Sequence, residues 1–141
     1  GLPPERVELE VTESVFLGDS ERAVRILGEF KDLGVSLAMD DFGTGYSSLS
    51  YLRRFPLDII KIDRSLVTGI EHEEEVAMIA RAVISLGQSL RKTVVAEGVE
   101  NQAQFDFLRF QGCNEFQGYL IARPMPAGDF EQLLARTGGQ L

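Results

Sequence analysis

The chain holds a single cysteine, Cys113. No disulfide can form within it, which suits a reducing compartment. It also holds a single histidine, His72, so a centre built on several imidazoles or thiolates is excluded. No apolar run approaches the roughly 20 residues that a membrane-spanning helix needs, and no signal-peptide pattern is visible. Positive charge is scarce. There are 14 Lys and Arg against 22 Asp and Glu, for a net charge of -8. That balance argues against a large nucleic-acid partner, whose footprint needs clustered Lys and Arg. It leaves room for a small anionic ligand held through a metal. No Gly-x-Gly-x-x-Gly turn offers a dinucleotide site, because Gly43-Thr44-Gly45 lacks the remaining spacing. No serine sits in a Gly-x-Ser-x-Gly turn that would present a nucleophile.

What is present is an ordinary globular composition, with 44% hydrophobic and 26% charged residues over 141 positions. That is enough for one domain with a real core. Strand and helix patterns alternate along its whole length. Val7–Val11 alternates with period two and reads as a strand. Ser20 offers an N-cap for a helix over Glu21–Leu33, with Ala23, Val24, Leu27 and Phe30 at helical spacing and Gly34 as its stop. Val35–Met39 is a second strand, Ser47–Arg54 a short helix ended before Pro56, and Asp58–Ile62 a third strand. Glu73–Lys92 reads as a long amphipathic helix whose acidic start and basic end complement the helix dipole. Thr93–Glu97 is a fourth strand, Gln102–Phe110 a helix stopped by Gly112, Phe116–Leu120 a short strand, and Ala127–Arg136 a last helix. Such alternation implies a parallel sheet with helical crossovers. Two closures fit: an open doubly wound sheet, or part of a (β/α)₈ barrel, which takes about 250 residues when complete.

Two adjacent carboxylates follow the second strand in the turn Asp40-Asp41-Phe42-Gly43-Thr44-Gly45. Neighbouring anions repel. They can be solvated, share a proton, or be neutralised by a divalent cation. Glu10, Asp40, Lys61 and Glu97 each fall at the carboxyl end of an expected strand, and Gln117 lies within the fifth. In parallel α/β folds that end is where ligands bind. Parity agrees. Asp40 shares a face with small Ser36 and Ala38, Lys61 with Ile59, and Glu97 with Thr93 and Val95. Carboxylates with few His or Cys favour hard cations, Mg²⁺ or Mn²⁺, over Zn²⁺. His72 reads as an exposed non-ligand and Cys113 as a packing residue.

Five stretches together carry a family resemblance. They are Glu8-Leu9-Glu10-Val11-Thr12-Glu13-Ser14, Asp40-Asp41-Phe42-Gly43-Thr44-Gly45-Tyr46-Ser47-Ser48-Leu49, Ile60-Lys61-Ile62-Asp63-Arg64-Ser65, Val95-Ala96-Glu97-Gly98-Val99-Glu100 and Gly112-Cys113-Asn114-Glu115-Phe116-Gln117-Gly118-Tyr119. In order and spacing the chain resembles the C-terminal part of an EAL domain, the bacterial cyclic di-GMP phosphodiesterase module. The resemblance implies a (β/α)₈-type barrel, of which about five units lie here, and hydrolysis of cyclic di-GMP to linear pGpG with Mg²⁺ or Mn²⁺. It implies Glu10, Asp40 and Asp41 as metal ligands. Lys61 would position the attacking water, Glu97 would act at the metal–water centre as ligand or base, and Gln117 would lie near water or substrate. Glu13 would steady the loop that contains Gly43, Thr44 and Gly45, and Glu100 would support the site.

The Glu-Ala-Leu motif and the asparagine ligand that follows it in the family are absent from these residues. The expectation is therefore an EAL piece of low activity alone. Its parent would be cytoplasmic in this segment, with any membrane anchor elsewhere, and would carry sensor or GGDEF domains. The second reading is a non-catalytic module that binds cyclic di-GMP or a protein partner. Unpaired strand edges at Val7–Val11 and near Phe116 further suggest a homo-oligomer.

Overall fold

Strand order decides between the two closures. The computed structural model describes residues 1–12, 20–43 and 49–138. Its strands are β1 (Glu8–Val11), β2 (Ser36–Phe42), β3 (Ile59–Ile62), β4 (Thr93–Glu97) and β5 (Glu115–Gln117). They lie side by side in chain order, and every adjacent pair is parallel. A doubly wound sheet reverses its strand order at a switch point. Here each strand is laid beside its predecessor in one direction, and right-handed crossovers then place the helices on one face. The sheet is open, with β1 and β5 at its edges. It is a segment of a (β/α)₈-type barrel rather than a doubly wound layer.

The helices are α1 (Ser20–Asp32), α2 (Leu49–Arg54), α3 (Arg64–Gly69), α4 (Glu74–Ser89), α5 (Gln102–Phe110) and α6 (Ala127–Thr137). Period two within the strands sorts the side chains. Leu37, Met39, Ile60, Ile62, Val94 and Ala96 pack in one cluster with Leu27, Leu52, Leu66, Val67, Ala80, Ile84 and Leu108 from the helical layer. Each buried Leu or Ile there contributes about 1.5–3 kcal/mol. The opposite face carries Ser36, Ala38, Ile59, Lys61, Thr93 and Val95, and Ala38 is fully buried. The small residues therefore lie on the barrel-interior side, as their parity implied.

Several boundaries differ from the sequence reading. β2 does not stop at Met39 but continues through Asp40, Asp41 and Phe42, so the paired carboxylates belong to the strand rather than to a turn after it. α3 shows no helical period in the sequence, because its only large apolar residues, Leu66 and Val67, are adjacent. Its start is nonetheless encoded: the Asp63 carboxylate accepts a 2.9 Å hydrogen bond from the Ser65 amide, an N-cap in the usual sense. α4 ends at Ser89, and Arg91 just beyond it has φ +55°, so the basic pair lies outside the helix. β5 covers Glu115–Gln117 rather than 116–120.

A polar strut fixes the amino end of the sheet. Asp58 Oδ2 accepts from the Leu37 amide at 2.9 Å and from Lys31 Nζ at 2.7 Å, and Lys31 also donates to the Val35 carbonyl at 3.2 Å. One carboxylate thus ties α1, β2 and the start of β3, and through their register it sets the height of the residues at the other end. Among the described residues no helix is long and apolar enough to cross a membrane.

Candidate active site

The pairing of β2 with β3 slips by one residue at the carboxyl rim. Ala38 pairs with Ile59 and Met39 with Ile60, but Phe42 pairs with Ile62. Asp40 and Asp41 therefore stand opposite Lys61 alone, which is a β-bulge. Such bulges re-aim side chains. Asp41 takes φ +55°, a left-handed conformation uncommon for any residue but glycine. Observed backbone strain of this kind clusters at functional sites.

Lys61 is the hub. It is one of two buried polar residues of the described chain, 6% exposed. Its Nζ hydrogen-bonds Glu10 Oε1, lies 2.5 Å from Glu97 Oε1 and stands 3.9 Å from Asp40 Oδ1. Three carboxylates from β1, β2 and β4 thus converge on one ammonium from β3. Burial alone would pull the Lys61 pKa down. The hydrogen bonds to Glu10 and Glu97, and their charges, outweigh burial and hold it well above the ordinary lysine value. Lys61 is a fixed cation at neutral pH. Asp63, next along the chain, has its pKa lowered by the Ser65 hydrogen bonds against some burial.

The donor set is wholly carboxylate oxygen, which suits a hard divalent cation. Asp40 Oδ1 is buried and has no hydrogen-bond partner among the described residues, and an orphaned buried acceptor is costly unless something else engages it. Lys61 takes the central position, and among the described residues no three carboxylates alone form a metal-binding group. The residues fit a cation as partial ligands.

A cleft of about 220 Å³ opens beside this cluster, lined by Arg64, Glu97, Gly98, Glu100, Gln117 and Tyr119 among others. Gln117 is the register partner of Glu97 across β4 and β5. Gly98 has φ +71°, and a Cβ there would collide with the stem of Arg64. Arg64 lies across that bare backbone and reaches Glu100, with Nη2 2.6 Å from Oε1.

The EAL domain family model matches residues 1–124. The chain belongs to the EAL domain family. It is 48% identical over 134 residues to the bifunctional diguanylate cyclase/cyclic di-GMP phosphodiesterase MucR of Pseudomonas aeruginosa, covering 95% of this chain and 19% of that protein. It therefore spans about a fifth of that curated relative. The solved PaMucR phosphodiesterase in complex with c-di-GMP superposes with a TM-score of 0.87 at 46% identity, over 92% of this chain and 52% of that one. A manganese/cy-diGMP complex of Klebsiella pneumoniae BlrP1 gives 0.79 at 41% identity, over 88% and 32%.

Within this EAL chain, the residues singled out from sequence fall in three groups. Glu10, Asp40, Lys61 and Glu97 are brought together, with Asp41 in the bulge and Gln117 at the next strand. Gly43, with φ +101°, follows β2, and Glu100 sits at the cleft beside Arg64. Glu13, Thr44 and Gly45 lie outside the described residues. The sequence reading did not single out Arg64. Its signal was modest: an arginine directly after the third strand's Lys61-Ile62-Asp63 run, three positions beyond the hub lysine.

Proposed function

We propose that this EAL domain hydrolyses cyclic di-GMP to the linear dinucleotide pGpG in a reaction that depends on Mg²⁺ or Mn²⁺, and that residues 1–141 form the C-terminal part of such a domain. The observation that carries the reading is the convergence of Glu10, Asp40 and Glu97 on Lys61 beside Gln117. The family membership and the ligands named for the PaMucR and BlrP1 complexes support it. In this reading Glu10, Asp40 and Asp41 hold the cation. When bound, the cation neutralises charge at the phosphodiester and acidifies a water near it. Lys61 donates hydrogen bonds to orient the attacking water, and Glu97, paired with it, receives the proton. The Gln117 amide hydrogen-bonds the substrate. Gly43, Thr44 and Gly45 shape the loop beside Asp41, Glu13 steadies it, and Glu100 braces the cleft wall.

The reading extends to the setting. MucR's description as a bifunctional cyclase and phosphodiesterase supports a parent with a GGDEF domain, and a cytoplasmic nucleotide substrate supports a cytoplasmic location. The open edges β1 and β5 support pairing with a second copy.

Turnover by these 141 residues alone should be slow, since the Glu-Ala-Leu motif and the asparagine ligand of the family are not among them. The test incubates the chain with Mn²⁺ and cyclic di-GMP and follows pGpG by chromatography. Slow hydrolysis that Glu97→Gln abolishes is the expected result. Tight binding of cyclic di-GMP with no pGpG at any metal concentration would favour a binding module instead.

A further inference from the structure

Gln104 is the second buried polar side chain of the described residues, 3% exposed, and it does not face the cleft. Its Oε1 accepts from the Glu100 amide at 2.8 Å and from the Asn101 amide at 3.3 Å, while its Nε2 donates to Glu71 Oε2 at 3.0 Å. Asn101 Nδ2 donates to the same Glu71 oxygen at 2.7 Å. The Asn101 side chain in turn caps α5 by accepting from the Gln104 amide at 3.0 Å. A capping box needs only Asn101 and Gln104. The Glu71 carboxylate is more than the cap requires, because it comes from a different loop, between α3 and α4.

That extra link joins two segments that wall the cleft. β4 ends in Glu97, and the segment after it carries Gly98 and Glu100. α3 opens with Arg64 and leads to Glu71. Between Glu97 and the clamped Glu100 amide only Gly98 and Val99 intervene, and Val99 is tied to β5 through its amide to the Gln117 carbonyl at 3.0 Å. Gln104 thus fixes the backbone three residues beyond the Glu97 carboxylate that meets Lys61. The exposed Arg64–Glu100 pair adds little stability by itself, yet it depends on the same clamp for its geometry.

We propose that Gln104, with Glu71, is a positioning residue for the reaction. Its amide locks the loop after β4 to the α3–α4 loop, so that Glu97 keeps its ion pair with Lys61 and Arg64 keeps its place on the cleft wall. The proposal rests on the phosphodiesterase reading, but the first readout below does not.

The test uses the ammonium ¹⁵N signal of Lys61, which its ion pairs slow in exchange, together with hydrolysis kinetics and thermal melting. Gln104→Glu places a second carboxylate against Glu71 and breaks the lock. Glu71→Gln/Gln104→Glu swaps donor and acceptor and rebuilds the link between positions 71 and 104, although Asn101 Nδ2, which donated to the same Glu71 oxygen, loses that acceptor. The single variant should shift or broaden the Lys61 signal and lower kcat about 10-fold, the range for groups that orient metal-site residues, with KM changed less. The double variant should restore both. Should Gln104→Glu not fold, Glu71→Ala, at an exposed position, removes the same link and should move the same signal. An unchanged Lys61 signal in folded single variants, with only the melting temperature lowered, would overturn the proposal in favour of a plain helix cap. Absence of turnover in the unmodified chain would defeat the hydrolase reading while the Lys61 signal still decided this one.

Discussion

Lys61 Nζ stands 3.9 Å from Asp40 Oδ1, outside hydrogen-bonding distance, and that oxygen is buried with no hydrogen-bond partner among the described residues. The same ammonium is closely paired with Glu10 and Glu97, which take two of its three N–H donors. The cluster therefore leaves one acceptor over, on the strand bulge that also carries Asp41.

That surplus acceptor makes Asp40→Asn informative. The substitution removes one anion from a site that holds more carboxylates than cations, so the metal-free chain should melt at an equal or higher temperature. Mn²⁺ affinity should fall at least about 10-fold, in line with the loss of a charged hard-oxygen ligand. Calorimetric titration and melting curves measure the two effects. Unchanged Mn²⁺ binding would remove Asp40 from the ligand set.

Lys61→Met should have the opposite sign. It leaves Glu10, Asp40 and Glu97 facing one another without a cation. Breaking a buried pair costs 3–5 kcal/mol, but the carboxylates are partly solvated, so about 2 kcal/mol is expected. Added Mn²⁺ should recover part of the loss. The pH dependence follows from the raised lysine pKa. The contribution of Lys61 is fully present below the unfolded value of about 10.4 and is lost as pH rises through the higher folded value. Alkaline destabilisation should accordingly be steeper in the unmodified chain than in Lys61→Met.

How much of this was legible in the sequence follows from the range of each interaction. Alternation within Val94-Val95-Ala96 and within Ile59-Ile60-Lys61-Ile62 is local, so strand identity and inward parity could be read directly. The grouping of Glu10, Asp40, Lys61 and Glu97 needed only the assumption of parallel strands. The bulge at Asp40-Asp41 could not be read, because it is a mismatch between β2 and β3 and exists only when the two are paired. Helix α3 shows no period, because Leu66 and Val67 are adjacent, and only the cap at Asp63 announced it. The Gln104–Glu71 bond joins residues 33 positions apart, and nothing local marks Glu71 as its partner. Strand order, which separates a barrel segment from a doubly wound sheet, is a property of pairing and not of any one stretch.

The amino-end strut gives a stability test remote from the cleft. Asp58→Ala leaves the Leu37 amide and the Lys31 ammonium without their shared acceptor. A cost of about 1–3 kcal/mol is expected, since a half-buried donor loses a charged partner. Denaturant unfolding should show a lower midpoint with an unchanged slope. A midpoint within error of the unmodified chain would mean that water replaces the carboxylate freely.

The last expectation concerns Cys113, which lies between α5 and the edge strand β5. It is 7% exposed. Burial pushes its thiol pKa up to about 11, against backbone hydrogen bonds that lower it. Its Sγ lies 3.3 Å from the Val94 carbonyl and 3.4 Å from that of Glu115. A free cysteine with a pKa of about 8.5 is substantially thiolate at pH 8, whereas this one is almost wholly thiol and screened from reagent. Native chain should therefore label with a thiol-specific disulfide reagent far more slowly than denatured chain, which should release one equivalent at once. The native rate has a second use. Because β5 is only Glu115–Gln117 and forms the sheet edge, slow labelling reports its local opening. Gln104→Glu, if it loosens the segment tied to β5 through Val99, should speed that labelling without changing the denatured rate. Native labelling at the denatured rate would instead show that β5 does not hold its place on β4.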